Sequence, residues 1–480
     1  MERSFEAIAL ERFGYGLGQG LGQGLGQGEE PPRDRQALLN QVEPGAAKTS
    51  GFVQSTARNR IRHLRRLTLQ QRKARRSGLD EEQRQVKRER TTWLRTAYAT
   101  EAHARVLWSV TEPDGFYERL AFFWSDHFTV SVAKTALRGL VGSYEAEAIR
   151  PFIAGDFRTL LRQAALHPAM QIYLDQNRSV GPNSKRGRNG KRGLNENLGR
   201  EIIELHTLGV GGSYSQADVR QFATLLTGVT VDESLGEAVY DPDLAEPGGK
   251  TLLGRRYGSG GMDTVLQALD DLARHPATAR HLARKLAVHF LSDDPPEDVV
   301  QHLEATYRAN DTQLMPVYRA LLEHPASWQT FGQKVRQPFD YLVAALRVAL
   351  PPGREAQITK PKVREFKAQD GAMISDPLPG NFSFTLGPLR DMGQMPWSAP
   401  GPNGWPEAAP AWISPQGLTE RIDYATFLAR GPLRQTDPRV LLTRAFGSSK
   451  PDRLALLMEE ANGALEARSL VLASPEFQRR

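Results

Sequence analysis

Leu194-Asn-Glu-Asn-Leu-Gly-Arg-Glu-Ile-Ile-Glu-Leu-His-Thr-Leu-Gly209 is the stretch on which the reading of this chain turns. Leu198, Ile202 and Leu205 recur at helical spacing, Asn195 stands where an N-cap is expected, Glu196 falls in the first turn, and Gly209 supplies a natural stop. The segment predicts an amphipathic helix. At about 100° per residue, Glu196, Arg200 and Glu204 share one side with Asn197 and Glu201 adjoining, while Leu198, Ile202, Leu205 and His206 lie on or beside the other. The carboxylates and His206 do not converge from this helix alone. A second helix is predicted over 215–227, begun by Ser215 with Asp218 three residues on and closed by Gly228.

Working outward, helical periodicity continues on both sides. Phe116, Leu120, Phe123 and Trp124 lie close to one stripe and predict a buried helix, followed by helical stretches near 143–150 and 156–166. Further helices are predicted at 261–291, 296–309, 314–327 and 335–350, with 229–260 left as a long connection or short strands. His-Pro-Ala occurs at His167, His275 and His324, each time after an apolar helical stretch. Proline disfavours the α region at its predecessor, so the phrase reads as a reused helix stop. The expected fold is mainly α, a multi-helix orthogonal or irregular bundle with long Gly/Pro-rich connections. Its expected parts are a Gly-rich N-terminal arm (1–32), a basic helical region (33–100), a central helical core domain (101–350), and an irregular Trp/Pro-rich wrap with C-terminal helices (351–480). Leu-Gly-Gln-Gly, repeated from Leu17 to Gly28, makes the arm an expected mobile or irregular element. Trp397, Trp405 and Trp412 are expected to pack the wrap over the helical body.

Composition narrows the chemistry. The 480 residues are 40% hydrophobic and 24% charged, enough to bury a large core, and the absence of cysteine removes disulfides, thiolate nucleophiles and Cys-ligated metal centres. No stretch reaches 18 apolar residues and the opening residues hold no signal-type apolar run, so the expected location is cytoplasmic, or periplasmic for a trimmed chain. Net charge is +7, yet residues 58–95 carry 14 Lys/Arg against 4 Asp/Glu. The basicity is therefore local. Arg65, Arg66, Arg72, Lys73, Arg75 and Arg76 stand in a polar helical run broken near Ser77 and Gly78, and Lys185, Arg186, Arg188, Lys191 and Arg192 stand in a Gly/Asn-rich loop. A solvated helical face is the plain reading of the first group, and an acidic protein, another polyanion or nucleic acid is the partner the two groups together would suit.

Candidate chemistry centres on a polar cleft framed by 122–128, 167–177 and 195–206. Glu201 or Glu204 would serve as acid or base, Arg200 would orient an anionic group, and His127 or His206 would carry a proton or bind a ligand. Asp126, Asp175, Asn177, Asn195 and Asn197 are the accompanying binding candidates. A salt-bridge ladder through Glu196, Arg200 and Glu204 is the competing structural reading. No metal or cofactor is specified by these residues. Ser131 and Lys134 match a Ser-x-x-Lys spacing without its companion motifs, and the glycine-rich 209–213 segment follows a helix, so neither a nucleophile elbow nor a nucleotide loop is indicated.

The motifs also carry a resemblance. Asn195 to Gly209 with Tyr214 and the 218–228 helix, Phe122-Phe-Trp-Ser-Asp-His-Phe, His167-Pro-Ala-Met-Gln-Ile-Tyr-Leu-Asp, His275-Pro-Ala-Thr-Ala with Arg284-Lys-Leu, Lys334-Val-Arg-Gln-Pro, Leu389-Arg-Asp-Met-Gly-Gln-Met-Pro, Pro402-Asn-Gly-Trp-Pro and Ser474-Pro-Glu-Phe-Gln resemble the bacterial domain of unknown function 1800 family over nearly the whole chain. The resemblance supplies no reaction. It implies an exported protein, from which this chain departs by showing no evident signal, and it places Ser125 and Asp126 where relatives tend to show His-Asn. The expected function is thus hydrolase-like or ligand-binding through the central cleft. The alternative is a binding or scaffold role through 58–95 and 184–193.

Overall fold

A computed structural model describes residues 4–17, 32–43, 51–53, 55–190, 193–350, 363–367, 373–377 and 382–480. The expected mainly helical fold is observed, with short antiparallel hairpins at Val229–Asp232/Glu237–Tyr240 and Lys250–Leu252/Arg255–Tyr257, and a third pairing Val363–Lys367 with Met373–Pro377. No helix among the described residues is long and apolar enough to cross a membrane. The repeat beyond Leu17, with Lys191 and Arg192, lies outside the described residues.

Apolar side chains collect into two cores. One is drawn from residues between Ala9 and Ala326, including Phe116, Trp124, Phe157 and Phe290. The other joins Tyr15, Val106 and Phe122 to the helix Pro338–Ala349 and to the C-terminal helices through Leu428, Leu442 and Val471. The beginning of the expected N-terminal arm is therefore built into the body. Phe13 is fully buried, and the Arg12 guanidinium donates to the Ser327 and Thr330 carbonyls at 2.6 and 2.5 Å.

The basic region forms two helices, Ala57–Arg76 and Asp80–Thr111, that pack on each other. Gly78, at φ +67°, makes the break between them. Thr56 caps the first helix by accepting from the Asn59 N–H, and acidic Asp80, Glu81 and Glu82 occupy the first turn of the second.

His-Pro-Ala is a stop and a start at once. His167 closes Phe157–Leu166 and caps Pro168–Tyr173, and His275 closes Met262–Arg274 and caps Pro276–Phe290. In each, proline holds the histidine in extended backbone while Nδ1 accepts the N–H two residues on, at 3.1 Å from Ala169 and 3.2 Å from Ala277. His324 repeats this with Ala326 at 3.2 Å. The device ends one helix and begins the next at a single residue, and its second copy starts the helix that walls the candidate site.

Candidate functional site

The deciding helix begins one residue later than the sequence pattern places it. Asn197–Glu201 is α-helical, Glu196 stands at the N-cap position without a side-chain cap, and the Asn195 Oδ1 accepts the Asn197 N–H at 2.8 Å. From Ile202 to Thr207 the backbone widens into a π-turn, in which the Leu208 N–H reaches the Ile203 carbonyl at 2.9 Å. Gly209, at φ +87°, ends it. The last carbonyls of such a helix have no internal partner, and here two histidines from other elements supply the donors. The His281 Nε2 donates to the Leu205 carbonyl at 3.0 Å, and the His127 Nε2 donates to the His206 carbonyl at 3.1 Å.

These two bonds fix the neutral tautomers. With Nε2–H committed to a carbonyl, each ring keeps its lone pair on Nδ1. The His127 Nδ1 is buried with no hydrogen-bond partner, and the His281 Nδ1 would lie 2.8 Å from a Cβ at position 209. Glycine at 209 is thus demanded twice, by its backbone conformation and by the histidine against it. Burial, followed by the nearby Lys285 charge, holds His127 well below the usual histidine range, pushes His281 down to about 4 and pushes His206 down to about 3.

Both His127 and His281 line an open cavity of about 590 Å³. Its other walls are Glu204, the 208–212 turn, Arg284 and Lys285 from the helix Pro276–Phe290, and Asn403 and Glu407 from the tryptophan-containing wrap. Lys285 makes no hydrogen bond and no ion pair among the described residues, although Asp126 and Glu407 act on it from a distance; burial pulls its amine below the usual lysine range. Asp126 lies beside this wall. Its Oδ1 accepts the Trp405 N–H at 2.9 Å, and enclosure pushes its carboxyl up to about 7 against the opposing effects of that bond and of Lys285.

The loop Pro402-Asn-Gly-Trp-Pro explains how the wrap reaches the site. Gly404 has φ +78°, and a Cβ there would stand 2.5 Å from the Asp126 Oδ2, so only glycine lets the loop close on this carboxyl. Closure brings in Asn403 and Glu407. Glu407 is anchored by the His289 Nδ1 at 2.6 Å and by the Lys334 amine, 3.0 Å from its carboxylate, and Lys334 also meets Asp293 at 2.8 Å. His289 accepts from Arg119 through Nε2 at 3.2 Å, so its proton sits on the Nδ1 that faces Glu407. Burial pushes His289 down to about 4, while His289 and Lys334 together hold Glu407 well below the usual carboxylate range. Arg119 in turn meets Asp340 at 2.6 Å, and Arg480 approaches the same carboxylate at 3.4 Å. One buried charge network therefore ties the pocket wall to the second core.

The structure distributes the sequence candidates unevenly. His127 and Glu204 line the cavity, and Asp126 lies beside its wall against the 402–406 loop. His206 contributes its carbonyl, whereas its ring is buried against Phe128, with centroids 5.0 Å apart and neither nitrogen bonded. Arg200 spans the salt-bridge ladder, 3.3 Å from Glu196 and 3.2 Å from Glu204, and does not line the cavity. Glu201 also lies outside it; burial, then Glu204, raises its carboxyl. The expected frame from 167–177 is corrected: Asp175 pairs with Lys134 at 2.7 Å, and Asn177 lines a different cavity beside Arg178. Asn195 and Asn197 are spent on the helix start and its exposed end. Missing from the sequence reading are His281, Lys285, Asn403 and Glu407, although the Arg284-Lys-Leu and Pro402-Asn-Gly-Trp-Pro phrases contain Lys285 and Asn403. Among the described residues no three His, Asp or Glu side chains gather in a group able to hold a metal ion.

The basic candidates gather elsewhere. Arg65, Arg66 and Lys73 line a cavity of about 680 Å³ between the first basic helix and Glu233 and Ser234. Arg65, Arg72, Arg178 and Arg186 line a neighbouring cavity of about 830 Å³, and both cavities share Arg65, Glu233 and Ser234. Lys185 turns to Asp243 at 3.1 Å, while Arg75, Arg76 and Arg188 are exposed outside these walls. Compared with known proteins, residues 8–479 match the family described as Protein of unknown function (DUF1800). No curated protein and no solved structure matches the chain.

Proposed function

For a chain that belongs to the DUF1800 family, we propose a role as an enzyme that binds a small carboxylate- or phosphate-bearing molecule in the 590 Å³ cavity and transfers protons on it. The observation that carries this reading is Lys285, a half-buried amine on the cavity wall with no ion-pair partner among the described residues. An enclosed cation in no direct ion pair favours an anionic ligand, and a hydrogen bond to such a charge contributes about 1.5–3 kcal/mol. The neighbouring groups suit proton transfer. Asp126, brought to about 7 beside the cavity wall, exchanges its proton near neutrality, and His127, whose ring lines the cavity, keeps an unused lone pair on its buried Nδ1. Asn403 and Glu204 supply orienting polar groups at its edge.

Calorimetric titration with inorganic phosphate and with succinate tests this directly. Lys285→Met should weaken binding at least tenfold and Lys285→Arg should retain part of it. Bound anion favours the ammonium form, so wild-type affinity should decline as pH rises through the lowered lysine pKa. Binding of either anion that survives Lys285→Met unchanged would defeat the proposal.

A further inference from the structure

We infer that the continuous groove between the first basic helix and the 229–240 hairpin binds the backbone of single-stranded nucleic acid. The two cavities that share Arg65, Glu233 and Ser234 make one channel, which runs along the helix Ala57–Arg76 and ends at the loop carrying Arg178 and Arg186. From Arg62 to Lys73 its cationic wall extends about 16 Å along the helix axis. This is a row of charge, suited to a polymer with repeated negative groups and poorly matched to one small anion.

Arg66 in this row is engaged, its guanidinium 3.1 Å from the His63 Nδ1, and the others are open to a ligand. Arg62, Arg72 and Lys73 are exposed and make no ion pair among the described residues, and Arg65 acts on Asp232 only from a distance. Nearby arginines that do have carboxylates stand outside the row: Arg58 pairs with Glu237 and Arg60 with Glu101. At the far end Arg186 meets Asp241 at 3.0 Å and Arg178 reaches Asp175 at 3.7 Å, which holds both side chains at the channel mouth. Acidic groups on the opposite wall are largely engaged. Asp232 accepts from the Ser234 and Leu235 N–H groups at 2.7 and 3.2 Å, leaving Glu233 as the carboxylate that borders both cavities.

Two features select the form of the polymer. The cationic helix is flanked by its partner helix and by the hairpin, whose Gly236 sits so close to Arg58 that a Cβ there would lie 2.4 Å from the Arg58 carbonyl. It cannot enter a duplex major groove as a free recognition helix does. Apart from His63, no aromatic ring among the described residues lines the channel, so recognition falls on phosphates through the arginine forks and not on stacked bases.

Fluorescence anisotropy of the full chain with a labelled thymidine 20-mer, read across a salt series, tests the assignment. Four phosphate contacts predict a log–log salt slope of about −3 for a single strand. Arg65→Ala with Arg72→Ala should weaken binding at least tenfold at low salt and flatten that slope by about 1.4, while Glu233→Gln should tighten binding by about twofold to threefold. All three positions are at the surface of a helix or turn, and circular dichroism should show an unchanged fold. Equal affinity for a duplex of the same length, equal affinity for poly-glutamate, salt-independent binding, or indifference to the double substitution would each overturn the inference. Loss of oligonucleotide binding in Lys285→Met with the arginines intact would overturn it as well, and would leave the small-anion pocket standing.

Discussion

The pocket and the groove are both cationic, but they are built in opposite ways. In the pocket, one enclosed amine from the helix Pro276–Phe290 feels, at a distance, the charge of groups more than a hundred residues away on either side, Asp126 and Glu407, and the wall is stiffened by a buried network running from Glu407 to Asp340. In the groove, exposed arginines of one contiguous helix supply most of the charge, and Arg62 and Arg72 with Lys73 make no ion pair among the described residues. Charge inside a wall needs an enclosing structure to matter, whereas charge on a surface acts through number and spacing. Substitutions should therefore unsettle the fold at the pocket and change only binding at the groove.

The sharpest test removes Glu407. Glu407→Ala leaves His289 and the fully buried Lys334 without this carboxylate, and denaturant titration should show a loss of about 3 kcal/mol, against less than about 0.5 kcal/mol for Glu233→Gln in the groove. Equal losses would erase the distinction. Next in size is Gly404→Ala, expected to cost about 1–3 kcal/mol because it combines positive φ with a collision at Asp126, and expected to weaken phosphate binding in the same protein. A stable variant with unaltered binding would show that the loop does not shape the pocket.

Acidity separates the two regions further. Asp126 keeps its proton in the folded chain up to about 7 and releases it near 4 when unfolded, so its contribution lowers stability as pH rises across that interval. The buried neutral histidines act in the opposite sense, since they resist the charging that the unfolded chain undergoes below about 6.5. Comparing Asp126→Asn with the parent isolates the aspartate: the variant should gain about 3–4 kcal/mol at pH 8 relative to pH 4. No pH-dependent difference would place that carboxyl in a more hydrated setting than its contacts indicate. The smallest expected effect is at the helix that opened the sequence reading, where Arg200→Ala should cost about 0.5 kcal/mol, because its partners Glu196 and Glu204 are partly exposed helix neighbours.

Particular residues show what could be read in advance. The break at Ser77 and Gly78, the Ser215–Asp218 capping box and the three His-Pro-Ala stops follow from local backbone chemistry, and the structure contains each of them. His127 was legible as a polar group inside an aromatic helix. His206 was a candidate proton carrier although its spacing set it beside the apolar side of the helix, and the structure follows the spacing, burying the ring and offering the carbonyl in its place. Lys285 carried no sequence signal apart from its motif: a lysine on a helix otherwise reads as solvated, and only the helix carrying His127, the Pro276–Phe290 helix and the 402–407 loop together enclose it.

By itself the sequence determined the mainly helical architecture, the family, the absence of cysteine chemistry and the concentration of positive charge in 58–95. These are matters of periodicity, capping and composition, which act over a few residues at a time. Tertiary structure alone decided that His127, His281, Lys285 and Glu407 share one pocket with Asp126 beside its wall, and that Arg186 lines one groove with Arg65 and Arg72. Those meetings depend on how distant helices cross and on which groups lose water when they do, and burial, not residue identity, is what makes an ordinary lysine and an ordinary aspartate chemically distinct.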